Sequence, residues 1–139
     1  MTQEDKQLLL VDLCSRLPYG VIAQVTGWDE EKGEIEVPLR IYSINTDGYV
    51  YFEINDFDVN YLAVDACLLY LRPMSSMTEE ERDEYHSIQS DIWKPCGTQY
   101  YDNWHSIDWL NAHHFDFRGL IEKGLALEAP EGMFKEEQQ

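Results

Sequence analysis

The sequence predicts one α+β domain: an N-terminal helix, a small antiparallel sheet of three to five strands, and C-terminal helices packed on it. Three observations carry that expectation. Apolar residues recur at helical spacing near the N-terminus, β-branched and aromatic runs alternate between turn signals through the middle, and helical periodicity returns after Pro73. A chain of 139 residues suits one core, with about two thirds of its unfolded surface buried. No linker or repeat divides it, so residues 1–139 read as a single unit with residues 129–139 as a frayed tail.

"TQEDKQLLLVDLCSRLPYG" opens with Thr2 as N-cap and acids in the first turn, and sets Leu9, Leu10, Leu13, Cys14 and Leu17 on one helical stripe that Pro18 and Gly20 end. Tyr19 to Thr26 reads as a strand, followed by the turn "GWDEEKG". In "EIEVPLRIY" Ile35, Val37, Leu39 and Ile41 share a face. Pro38 removes a ladder donor, which predicts an edge or bulged strand. "NTDG" turns the chain into the strand "YVYFEI", and "ACLLYLRP" is a further strand, buried on both faces. Ser76 and Glu79 stand at capping-box spacing before a helix with Met77, Tyr85, Ile88 and Ile92 near one stripe. "WKPCGTQYYDN" reads as a loop, "IDWLNAHH" as a short helix after Ser106, and "FRGLIEK" as a last helix capped by Asp116 and closed by Gly124.

Composition narrows the function. With 44% hydrophobic and 13% aromatic residues the chain has the material for a packed interior despite its charge. No apolar run reaches the roughly 20 residues of a membrane span, and Met1 to Lys6 lacks a secretory signal, so a cytoplasmic protein is expected. Cys14, Cys67 and Cys96 form no C-x-x-C pair and read as reduced thiols. The net charge of −17, spread along the chain, repels phosphate backbones and anionic membranes and attracts cationic partners. A basic protein partner is therefore expected, with no direct nucleic-acid or membrane binding.

Motifs for chemistry are sparse. The stretch "HHFDFRGLI" sets His113 and His114 about 100° apart on a helix, so the pair cannot easily share a metal. His105, His113, His114 and Asp116 could form a metal or acid/base site for a small hydrolase only if the chain bends sharply. The competing reading is a corner between helices, capped by Asp116, with Arg118 available for a carboxylate. Asp56, Asp58 and Asn60 match the start of a calcium loop, but Tyr61 and Cys67 occupy the glycine and bidentate-glutamate positions. No phosphate loop, dinucleotide fingerprint or nucleophile elbow is present. No cofactor, no metal and no catalytic residue are assigned, and the chain is expected not to be an enzyme.

Two groups remain as candidate contacts. Trp93, Tyr100, Tyr101, Trp104 and Trp109, with Trp28, could form a stacking platform, though core and interface anchors are the commoner use of such residues. The five acids Glu79, Glu80, Glu81, Asp83 and Glu84 are interrupted only by Arg82. They read either as a solvated helix start or, joined to Asp29, Glu30, Glu31, Glu34, Glu36, Asp56 and Asp58, as carboxylates spaced to occupy a basic nucleic-acid channel. Glu79, Glu80, Glu81, Asp83, Glu84, Glu30, Glu31, Asp56, Asp58 and Trp104 are the expected partner contacts.

The blocks "LLLVDLCSRLPYG", "LYLRPMSSMTEEER" and "DWLNAHHFDFRGLIEKGLALEAPEGM" resemble a family of small, largely uncharacterised proteins encoded by phages and mobile elements of gut anaerobic bacteria. The blocks cover somewhat under half the chain, and the strands between them carry no matching motif. The resemblance implies a cytosolic accessory protein of a genetic parasite, similar in size and charge to inhibitors of restriction or CRISPR nucleases. With the charge it favours a non-enzymatic, anti-CRISPR-type protein that occupies a host nuclease's nucleic-acid surface as a DNA mimic. The alternatives are a phage structural or regulatory protein, with a homodimer left open, and the hydrolase above.

Overall fold

A computed structural model of the chain describes residues 2–90 and 99–134, with the side chains of residues 89, 90 and 99–104 outside the description. The first helix, α1 (Gln3–Arg16), starts where Thr2 Oγ1 accepts from Asp5 N at 3.0 Å. It ends before Gly20, whose φ of 86° no helix can continue. Its inward stripe is Leu9, Asp12, Leu13 and Arg16, displaced from the expected one, so Cys14 faces solvent. The displacement has a physical cause: Asp12 and Arg16, which pair with each other while Asp12 also pairs with Arg118, take the stripe positions that apolar periodicity assigns elsewhere.

Strands β1 (Val21–Asp29), β2 (Gly33–Ile44) and β3 (Tyr49–Phe52) follow as an antiparallel meander. Pro38 pairs across to Gln24, but β3 pairs only the later part of β2, from Ile41 on, with a register shift between Ile41 and Ser43. The half of β2 carrying Pro38 thus has a ladder neighbour on one flank, which is how the strand tolerates a missing donor. The strand expected through Ile54 stops at Phe52, because Asn55 organises a loop instead. Its Oδ1 accepts from Phe57 N (3.0 Å) and Val59 N (3.2 Å), and its Nδ2 donates to Val59 O (2.8 Å).

After β4 (Tyr61–Ala63) and β5 (Leu68–Pro73), helices α2 (Glu79–Ser90) and α3 (Gln99–Ala112) lead to two short strands, β6 (Phe115–Asp116) and β7 (Ala126–Glu128). Both pair β5 in parallel, giving a mixed seven-stranded sheet ordered β4-β3-β2-β1-β5-β6 with β7 also on β5. The sheet therefore has more strands than expected. The additions are too short to show alternation. The capping box of α2 is formed by Thr78 and Glu81, not Ser76 and Glu79: Glu81 N donates to Thr78 Oγ1 and Thr78 N to Glu81 Oε1. Ser76 instead closes the turn after β5 on Pro73 O.

Two further expectations give way. The segment after Asp116 is a series of turns rather than a helix, with Gly119 at φ 76° breaking the helical backbone. The start of the expected frayed tail, residues 129–134, is docked. Ala129 N donates to Leu71 O at 2.8 Å, and buried Phe134 stacks on His114 at 3.8 Å. Helix α3 begins before Ser106, which lies within it, and most of the expected loop from Trp93, with Cys96, lies outside the described residues.

Leu9 and Leu13 of α1 pack on the inward residues of the sheet, including Val21, Ala23, Val25, Leu39, Val50 and Leu69. A second apolar cluster joins Met77, Trp109, Leu110 and Phe115 with Tyr85 and Ile88, where α2 meets α3.

Candidate functional site

The histidine corner is built as structure. His113 lies on Trp109, with ring centroids 4.1 Å apart and its Nδ1 2.9 Å from Trp109 O. His114 turns the chain at φ 65° and puts its ring against Phe134. Asp116 accepts from Leu120 N and Ile121 N, both at 2.9 Å, through its two oxygens. His105 is exposed on α3. These four do not converge, and among the described residues no three His, Cys, Asp or Glu side chains stand together to hold a metal ion.

The arginines nearby are turned inward. Asp12, with no exposure, accepts from Arg16 Nε and Arg118 Nη1, each at 2.8 Å, while Arg16 Nη2 donates to Phe115 O at 2.6 Å. Arg16 Nη1 is buried with no hydrogen-bond partner among the described residues. Arg72 makes a two-pronged pair with Glu81 at 2.6 and 2.8 Å and lies 4.2 Å over the Phe115 ring. Burial pushes the Glu81 carboxyl up, but the Arg72 guanidinium and Thr78 outweigh it and hold the group at about 2, against an ordinary 4.5. Burial, helped by Asp65, pushes the Cys67 thiol up to about 11, so it is no nucleophile.

Of the expected contacts on α2, Glu79, Glu80, Asp83 and Glu84 are exposed, whereas Glu81 is spent on Arg72. Glu30, Glu31, Asp56 and Asp58 come together with Asp29 around Trp28, in a concavity of about 700 Å³ that Phe57 completes. Trp28 is 66% exposed. Asp29 Oδ1 accepts from Glu31 N and Lys32 N and so fixes the turn that presents these acids. Gly27 admits the Phe57 loop, because a Cβ there would stand 3.1 Å from the Phe57 ring.

The register keeps the two acidic groups apart. Ala23 pairs with Leu69, so Arg72 and the helix after it lie beyond the Val21 end of β1, while Trp28 and Asp29 close the other end. The nine residues of β1 span about 30 Å at the rise of a strand. The single acidic face joining all these residues is thus two separate faces. Trp104 and the neighbouring aromatics before it lie outside the described side chains, and Trp109 is buried in the second cluster.

A surface that the sequence reading passed over lies on the outward side of β2, β3 and β4. Tyr42, Tyr51, Tyr61 and Tyr49 form a chain of ring contacts with centroids 5.8–6.5 Å apart. The signal was present as aromatic residues at outward positions of successive strands, and the run of tryptophans and tyrosines from Trp93 to Trp109 drew attention from it.

Fold and surface together define a mixed α+β protein whose charged interior pairs are structural and whose exposed features are carboxylate groups and tyrosines. Compared with protein-family models, curated proteins and solved structures, the chain matches none. Among the described residues no helix is long and apolar enough to cross a membrane.

Proposed function

We propose that the protein is a non-enzymatic acidic binding protein that occupies the basic, nucleic-acid-binding surface of a host-defence nuclease of the restriction or CRISPR type. The observation that carries this reading is the Trp28 corner, where an exposed indole is ringed by Asp29, Glu30, Glu31, Asp56 and Asp58. An aromatic anchor inside a charged rim is the arrangement in which one side chain contributes most of the contact energy while the charges set partner choice and association rate. The carboxylates Glu79, Glu80, Asp83 and Glu84 offer a second contact. The setting, a phage or mobile element acting in a bacterial cytoplasm, rests on the likeness of the three sequence blocks and is part of this proposal.

The test replaces Glu30, Glu31, Asp56 and Asp58 by Gln or Asn and measures inhibition of restriction and CRISPR nucleases by the folded protein. Weakened inhibition, with wild-type potency falling as salt rises, supports the proposal. Inhibition that survives these four changes and those at Glu79, Glu80, Asp83 and Glu84 contradicts it.

A further inference from the structure

We propose that the tyrosine groove on the outward side of β2, β3 and β4 docks an arginine-rich segment of the partner protein. The inference deepens the reading above and rests on the partner being basic. Tyr42 and Tyr61 are each 58% exposed, and with Tyr51, Glu53, Ile54 and Asn60 they line a concavity of about 680 Å³. Ile54 at its rim is fully exposed. Tyr51 is held in place by Asn45 Nδ2, which donates to its hydroxyl at 3.2 Å, and its ring meets Tyr61 at 5.8 Å and Tyr42 at 6.5 Å. Tyr51 is thus held by a hydrogen bond and by a ring on either side, which lowers the entropic cost of using it for binding.

Charge selects the occupant. The groove itself carries one carboxylate, Glu53, with Arg40 beside it across the strands, so the charge of the whole chain decides: a second copy would bring another −17 against the same charge, and a nucleic-acid base would bring its phosphate; both are repelled. A guanidinium suits what is there: it is planar, weakly hydrated, stacks on tyrosine faces, and has a fork of donors for the Glu53 carboxylate. An ammonium of equal charge stacks less well. The two concavities share no lining residue, but one loop, between β3 and β4, supplies Glu53, Ile54 and Asn60 to the groove and Asp56, Phe57 and Asp58 to the Trp28 corner.

The test compares two synthetic peptides of equal length and charge, one alternating Arg with Gly and one Lys with Gly, titrated at low salt and followed through backbone amide shifts. The wild-type protein is expected to prefer the Arg peptide, by at most about two- to fivefold for each tyrosine engaged, the full worth of an exposed cation–π contact, with shifts at Tyr42, Tyr51 and Tyr61. The variant Tyr42→Ser/Tyr61→Ser is expected to bind both peptides equally. Tyr42→Phe/Tyr61→Phe keeps the rings and is expected to keep the preference, which separates a lost contact from a lost fold. Equal binding by the wild type, or a preference that survives the serine changes, overturns the groove while leaving the acidic reading standing. Binding of neither peptide overturns both. A wild-type dimer that the serine changes dissolve would assign the groove to a second copy and also overturn the proposal.

Discussion

At Asp12 the chain places a carboxylate between two guanidiniums in its interior, and the free energy of that site depends on all three being present. Asp12→Ala would leave Arg16 buried and Arg118 half-buried without their counter-charge. It is expected to cost about 3–5 kcal/mol, measured as a lower urea midpoint. Glu81 makes a different prediction. Its folded pKa lies below its unfolded value, so its pairing with Arg72 contributes stability above about pH 4.5 and loses it as pH falls toward about 2. Glu81→Gln should reduce neutral-pH stability by about 1–3 kcal/mol and flatten the dependence between those two values. A urea midpoint that falls as steeply in the variant as in the wild type would contradict this. These residues also show where sequence reading reached its limit. Arg118 was recognisable as an arginine seeking a carboxylate, but its partner is more than a hundred residues away in sequence, and no local pattern distinguishes buried Asp12 from a solvated helix acid.

Elements were legible in proportion to their length and regularity. Helix α1 with its Thr2 cap, the meander of β1, β2 and β3, and the helical identity of α2 follow from caps, alternation and turn chemistry. The strands β6 and β7 were not legible, because two or three residues carry no period and both exist only through pairing with β5. The docked segment after β7 escaped for a related reason: its polar sequence hides one buried ring. Phe134→Ala is therefore expected to cost about 3 kcal/mol or more and to increase amide exchange from Ala126 to Phe134, where a frayed tail would show no change. The loop after β3 gives a second test. Gly27→Ala sets a methyl against Phe57 and Val37, and should cost about 1–3 kcal/mol as overpacking while displacing Asp56 and Asp58 from Trp28. Unchanged thermal stability together with unchanged amide shifts in that loop would count against the packing described.

For the molecule as a whole, charge is the property most plainly written in the sequence, and its arrangement is the property least so. Composition gives −17, but only the register of β1 with β5 shows that the α2 acids and the Trp28 acids stand at opposite ends of a strand. A partner engaging both must therefore be extended, and neutralising either group alone should reduce affinity without abolishing it. The most direct measurement is affinity capture from host lysate at low salt, with elution along a salt gradient, competition by duplex DNA, and the four-fold Glu30, Glu31, Asp56 and Asp58 variant run in parallel. The account predicts a basic nucleic-acid enzyme that is retained by the wild type, displaced by DNA and by moderate salt, and lost or weakened with the variant. A partner indifferent to salt, to DNA and to these four changes would contradict it and leave the charge as a means of solubility.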